Sequence, residues 1–370
     1  MVRISPYQLF SLMVLFQLGT TVIFGFASGA GRDAWISVLV STLLGLAIMT
    51  VYLAIHRLNG GLGLAEWYPS LFGKWLGTFV AWLYPILFIY DAGRIVGDIR
   101  FLFPISILPG TPDWAIAVTF MMIVVYVLTG GIEVLARVCS ILFPIMLLFV
   151  TLEALMLGAS GSLNLHLLKP FMAEGWGPVM GAVWPLGITQ TFGESISFAL
   201  IWSYVKGNGK GTGCSRVVLA ATLCSGILIS FVDVLAISGL GEWTFKQMMY
   251  PSFALLKLPS VADFLENLDA LGVIYMMVNA FVKLSFHLFS AVILIRQLTG
   301  AKSEKKIAYP VAIAALFMGM TMVRGFSAHL EVAEKPLPYQ FWVPLFLVLP
   351  AIALAVTGFK KMVKGKGASS

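Results

Sequence analysis

Charge is scarce in this chain. Only 11% of its 370 residues are Asp, Glu, Lys or Arg, against about 25% in an ordinary soluble domain. Cysteine is scarcer still. Cys139, Cys214 and Cys224 are odd in number and lack metal spacing, and Cys214 opens a run on the side where thiols stay reduced. The histidines His56, His166, His287 and His329 are far apart and make no HExxH or similar cluster. No GxSxG, no Walker loop and no paired acidic motif with a nearby base is present. Nothing here indicates an enzyme, a cofactor or a bound metal. The basic residues are scattered among short connections, which argues against nucleic acid.

What the chain has instead is apolar length. Hydrophobic residues make up 59% of it, and apolar runs near the roughly 20 residues needed to cross a bilayer recur throughout. Ten spans are predicted, near 7–30, 34–56, 76–106, 114–130, 133–158, 176–204, 214–238, 268–297, 307–325 and 338–358. The runs are continuously apolar, without the alternation of a barrel, so the spans are helices. The expectation is an all-α integral membrane protein, multi-pass, with a single membrane domain over 1–370.

Lys and Arg in the connections orient it. With ten spans, fifteen of the 24 fall on the side of the N-terminus, six on the opposite side and three inside spans. Both termini are therefore expected in the cytoplasm, with the basic tail 359–370 near anionic headgroups. A cleaved leader is the competing reading of the first run, since small residues occur at Ala27, Ser28 and Gly29. Nine further spans and the charge bias favour keeping it.

The first span is interrupted. Gly19, Thr20, Thr21 and Val22 lie near its middle, where glycine costs about 1 kcal/mol in helix propensity and hydroxyls compete for main-chain hydrogen bonds. The sixth span carries a similar interruption in WPLGITQTFGES, with Pro185, Gly187 and Gly193 around Thr189, Gln190, Thr191 and Glu194. Five spans followed by five more give the second set the opposite orientation, so the repeats would be 7–158 and 176–358. Interrupted helices at matching positions of inverted halves point to a transporter-type site. Free N–H groups at the first break suit a carboxylate, and free carbonyls at the second suit an ammonium group. The two together favour an amino acid or similar small solute, held by Gly19, Thr20, Thr21, Val22, Gly187, Ile188, Thr189, Gln190 and Thr191. Gly25 and Gly29, four apart, are read as close helix packing.

These features resemble a known family, the B subunit of the bacterial spore germinant receptor, within the amino acid–polyamine–organocation superfamily. The resemblance rests on SPYQLFSLMVLFQLGTTVIF, AGRDAW, LAEWYPSLFGKWLG and FGESISF, and it covers essentially the whole chain. It implies the LeuT-like fold of ten helices in two inverted five-helix repeats, with helices 1 and 6 broken. It also implies sensing of a nutrient germinant in the spore inner membrane, together with an A subunit and a lipoprotein C subunit. The Gly-x-Gly common at the first break of superfamily permeases is Gly19-Thr20-Thr21 here. The alternative function is a proton- or sodium-coupled amino acid transporter.

Charges inside spans are expensive and mark function or pairing. Asp91, Arg94 and Asp98 share one face of the third span, either as an internal ion-pair network or as a gate above the pocket. Tyr84 on the same span offers a hydroxyl to a ligand or simply packs. Lys283 sits near the middle of the eighth span. In LeuT-like proteins the corresponding helix helps hold a sodium ion, and a fixed ammonium would replace it; the other reading is a salt bridge to Glu194, Asp233 or Glu153. Glu194 is either a helix cap or a proton-sensitive carboxylate beside the ligand. The segment 239–267 is amphipathic, with Trp243, Phe245, Met248 and Met249 as candidates for the interface plane.

Overall fold

The computed structural model describes residues 3–19, 21–106, 108, 110–206, 213–248, 250–256, 260–261, 265–266, 269–322 and 325–367. Helix α1, Pro6–Leu18, starts on a capping box that SPYQ encodes. Ser5 Oγ accepts from the Gln8 amide at 3.1 Å, Gln8 Oε1 accepts from the Ser5 amide at 2.8 Å, and Pro6 takes a first-turn place where no N–H is needed. The helix stops at Gly19, whose φ of +33° leaves the right-handed region. A short α2, Thr21–Phe24, and a 3-10 turn, Ser28–Asp33, complete the interrupted span.

The chain continues through α3, Ala34–Leu58, the short amphipathic α4, Leu64–Phe72, and the long α5, Lys74–Ser106. Then come α6, Asp113–Gly130, and α7, Ile132–Ala159. The second interrupted span begins with α8, Trp176–Ala182. It passes through a π-turn at Val183–Gly187, with Trp184 extended, and resumes as a 3-10 helix over Gly193–Leu200. Helix α9, Gly213–Gln247, kinks at Gly241 and is followed by α10, Pro251–Leu255. Helices α11, Asp269–Thr299, α12, Glu304–Thr321, and α13, Phe326–Glu334, precede a π-helical stretch, Pro338–Val348, that runs into α14, Leu349–Gly367. Among the described residues, short β pairing occurs where Ser260–Val261 meets Leu265–Glu266 and where Ile4 bridges Val205.

Among the described residues, seven helices are long and apolar enough to cross a membrane. The other three expected spans are the two interrupted ones and α12, whose first turn carries Glu304, Lys305 and Lys306. Helix α5 packs along α11 and α12, while α1 packs along α9 and α7 and α3 along α9. The eighth-span helix α11 is the centre of the bundle: 83% of its most apolar stretch lies inside the protein. Large apolar side chains face outward on the surrounding helices, as on Trp75, Phe79, Tyr126 and Leu155, the pattern of a protein whose solvent is lipid.

The segment 239–267 is split by the structure. Trp243 is exposed, whereas Phe245 is buried and Met248 belongs to a cavity wall; Met249 lies outside the described residues.

Candidate functional site

Two interrupted helices meet at the centre because their facing atoms are small. A Cβ on Gly187 would lie 2.5 Å from Ser41 Oγ and 2.7 Å from Phe26 Cε2, so only glycine lets the first break press against the second. Gly19 plays a matching part: a Cβ there would sit 2.6 Å from Lys283 Cδ. The aliphatic stem of Lys283 thus runs over the first break, and its ammonium arrives at the second.

There Lys283 Nζ pairs with Glu194 Oε2 at 2.9 Å and reaches the Gln190 carbonyl at 3.4 Å. His287 Nε2 lies 3.3 Å from the same Glu194 oxygen, and the Phe16 ring is 5.7 Å from the ammonium. Of the three partners considered for Lys283, the structure selects Glu194. Both side chains are only 3% exposed, so the pair is mutual compensation for two charges removed from water.

Above this pair opens a cavity of about 320 Å³. Its walls come from both breaks (Phe24 to Phe26 and Ser28; Leu186, Gln190 and Glu194), from α5 (Asp91, Arg94, Ile95, Asp98) and from α11 (Lys283, His287). The end of α9, helix α13 and Trp342 close the remaining sides. Asp91 Oδ1 accepts from Trp342 Nε1 at 3.2 Å, while its Oδ2 is buried with no hydrogen-bond partner among the described residues. Arg94 donates from Nη2 to the His329 carbonyl at 3.0 Å, while its Nη1 is buried and likewise unpartnered. Asp98 Oδ1 is 2.7 Å from His329 Nε2. Asp91, Arg94 and Asp98 therefore do not form the internal ion-pair network considered for them: each is anchored to another helix, two of them through His329.

The positions expected from the sequence divide. Gln190, Asp91, Arg94, Asp98, Glu194 and Lys283 line the cavity together. Gly19, Thr21, Gly187, Ile188, Thr189, Thr191 and Tyr84 are not among its walls. Thr189 donates its hydroxyl to the Pro185 carbonyl, and Thr21 and Thr191 are buried. Val22 belongs to α2, and Thr20 lies outside the described residues. The first break reaches the cavity one turn later than expected, at Phe24–Ser28, so Gly25, read as a packing glycine, is in the wall. Tyr84 is committed elsewhere: its hydroxyl donates to the Leu345 carbonyl at 2.6 Å and meets the Tyr68 hydroxyl at 2.5 Å. Nearby, Tyr52 bridges the carbonyls of Gly193 and Phe346 at 3.2 and 2.5 Å. These phenols donate to main-chain carbonyls of the second break and of the π-helical stretch inside the buried core.

His287 and His329 carried no motif in the sequence, and α13 lay in what reads as a connection. Their only signal was burial-prone polarity near an apolar run.

The fold recurs in solved structures. The chain aligns with MHP1, a nucleobase-cation-symport-1 family transporter in a closed conformation with bromovinylhydantoin bound, at a TM-score of 0.67 and 13% identity. That match covers 94% of this chain and 79% of the transporter. It aligns with MhsT in complex with L-phenylalanine at a TM-score of 0.64 and 14% identity, over 97% and 99% of the two chains. These likenesses establish the fold: a LeuT-like helical membrane protein with helices 1 and 6 broken.

Sequence similarity gives the family. A model described as spore germination protein, the spore permease family, matches residues 3–327, and the chain belongs to that family. It is 28% identical over 359 residues to spore germination protein KB of Bacillus subtilis (strain 168), covering 97% of this chain and 95% of that protein. Spore germination protein XB of Bacillus anthracis is 24% identical over 326 residues, 88% of this chain and 86% of that one. The chain is thus a multi-pass membrane protein of the germination permease family.

Proposed function

We propose that this protein is the membrane subunit of a spore germinant receptor and that it binds a small nutrient, an amino acid, in the cavity between the two helix interruptions. The observation that carries this reading is the cavity itself. At about 320 Å³, walled by both breaks and by groups of both charges, it has the size and mixed polarity that a small zwitterion needs. Binding shifts the balance between helix arrangements, and the shift passes to an A subunit and a lipoprotein C subunit in the spore inner membrane. The lysine and arginine bias supports cytoplasmic termini.

The test uses the purified full chain in proteoliposomes with tritiated amino acids, measuring equilibrium binding and counterflow side by side. Saturable binding without exchange is expected. Ala333→Trp, which fills the cavity from the partly exposed helix α13, is expected to lower affinity at least tenfold. Robust exchange by the isolated chain would replace this reading with secondary transport, and binding indifferent to Ala333→Trp would remove the cavity from it.

A further inference from the structure

Main-chain groups at the breaks are the obvious hands for a zwitterion, and here many are already engaged. The amides of Gly25 and Ser28 donate to the carbonyls of Thr21 and Gly25, and those of Gln190 and Phe192 to Leu186 and Ile188. The carbonyl of Gln190 receives Lys283. Lys283 and Glu194 satisfy each other. The charges at the floor of the cavity and the backbone around it are therefore largely used up inside the protein.

Two charged side chains that line the cavity are not fully used. Asp91 is 4% exposed and Arg94 7%, and they lie three residues apart on one face of α5. Each is held by one atom and left open by another. Trp342 fixes Asp91 through Oδ1, leaving Oδ2; the His329 carbonyl fixes Arg94 through Nη2, leaving Nη1. They are not paired with each other, since no ion pair links them within 4.0 Å among the described residues. A buried carboxylate oxygen and a buried guanidinium nitrogen without partners are costly to maintain, and the cost is recovered when a ligand completes both.

We infer that a zwitterionic ligand is clamped across Asp91 and Arg94, its ammonium on Asp91 Oδ2 and its carboxylate on Arg94 Nη1, so that recognition is by side chains of α5 rather than by the helix breaks. This rests on the reading of the cavity as the ligand site. The ligand is an α-amino acid or a compound with the same adjacent pair of charges. Trp342 and His329 act as positioning residues that aim the two open atoms. The breaks then supply space and an apolar wall, through Phe24 and Leu186, in place of charge.

The experiment measures binding to the full chain in lipid nanodiscs. Each of the twenty protein L-α-amino acids is screened, and the tightest is compared with its carboxamide, which lacks the anionic end, and its desamino acid, which lacks the cationic end. Wild type is expected to bind the zwitterion at least thirtyfold more tightly than either analogue. Asp91→Asn is expected to lower affinity for the zwitterion at least tenfold while leaving the desamino acid unaffected; Arg94→Gln is expected to do the same while sparing the carboxamide. That crossed pattern is not produced by a general loss of packing. If a variant does not fold, the wild-type comparison decides: equal affinity for the zwitterion and both analogues overturns the clamp. Zwitterion binding that Ala333→Trp blocks but the two α5 variants leave intact overturns the clamp and spares the cavity. Absence of binding by all twenty amino acids overturns the zwitterion class itself.

Discussion

Replacing Lys283 by methionine removes an ammonium while keeping most of the stem that lies against Gly19. The consequence follows from what remains. Among the described residues Glu194, 3% exposed, keeps His287 at 3.3 Å as its one remaining charged or polar side-chain partner. At 2.9 Å and an effective dielectric near 20, the attraction lost is about 6 kcal/mol before desolvation is counted. Removing one member of a buried pair typically costs about 3–5 kcal/mol, because the other charge is stranded. Lys283→Met should therefore destabilise the fold by about 3 kcal/mol or more, read as unfolding of the detergent-solubilised protein in rising dodecyl sulfate. The double variant Lys283→Met/Glu194→Gln strands no charge and should return to within about 1 kcal/mol of wild type, since neutral replacement of a buried pair is often nearly neutral. A single variant as stable as wild type, or a double variant as unstable as the single, would refute the pairing as the reason both charges are tolerated at the break.

Gly19→Ala should destabilise by about 1–3 kcal/mol in the same unfolding assay, because its Cβ would meet Lys283 Cδ at 2.6 Å and the Phe16 carbonyl at 2.7 Å with φ at +33°; a neutral effect would mean the first break is not held by this close approach. Since the Lys283 ammonium already occupies the meeting point of the breaks, ligand binding should be unchanged when sodium is exchanged for potassium. A sodium requirement in a binding isotherm would show that the ammonium does not replace an ion.

Most of the helical frame was legible because it follows from local rules. Apolar length set α3, α5, α6, α7 and α11 to within a few residues. The interruptions were legible too, since glycine and proline clustered with hydroxyl side chains weaken a helix at that point whatever surrounds it. Charges inside spans were legible as members of a site, and six of the polar positions singled out do meet in one cavity. What was hidden is the pairing across helices. Glu194 and Lys283 are 89 residues apart, and Arg94 finds the His329 carbonyl 235 residues away; no periodicity records such distances. The displacement of the first wall from Gly19–Val22 to Phe24–Ser28 depends on the turn taken after Gly19, a property of backbone angles rather than of residue type. Helix α13 was missed because nine residues are too few to read as a span, though Leu330, Ala333 and Glu334 on it close the cavity.

The phenols of Tyr52, Tyr68 and Tyr84 have a mechanical consequence. Tyr52 on α3 holds Gly193 of the second break and Phe346 of the last span with one oxygen, and Tyr84 on α5 holds the adjacent Leu345. The second break and the last span thereby share the Tyr52 hydroxyl of α3, and the last span is tied to α5 as well through Tyr84. Sliding either one breaks a buried hydrogen bond, at a cost of about 1 kcal/mol each. This end of the bundle therefore resists gradual deformation and favours moving the second break and the last span as a single body.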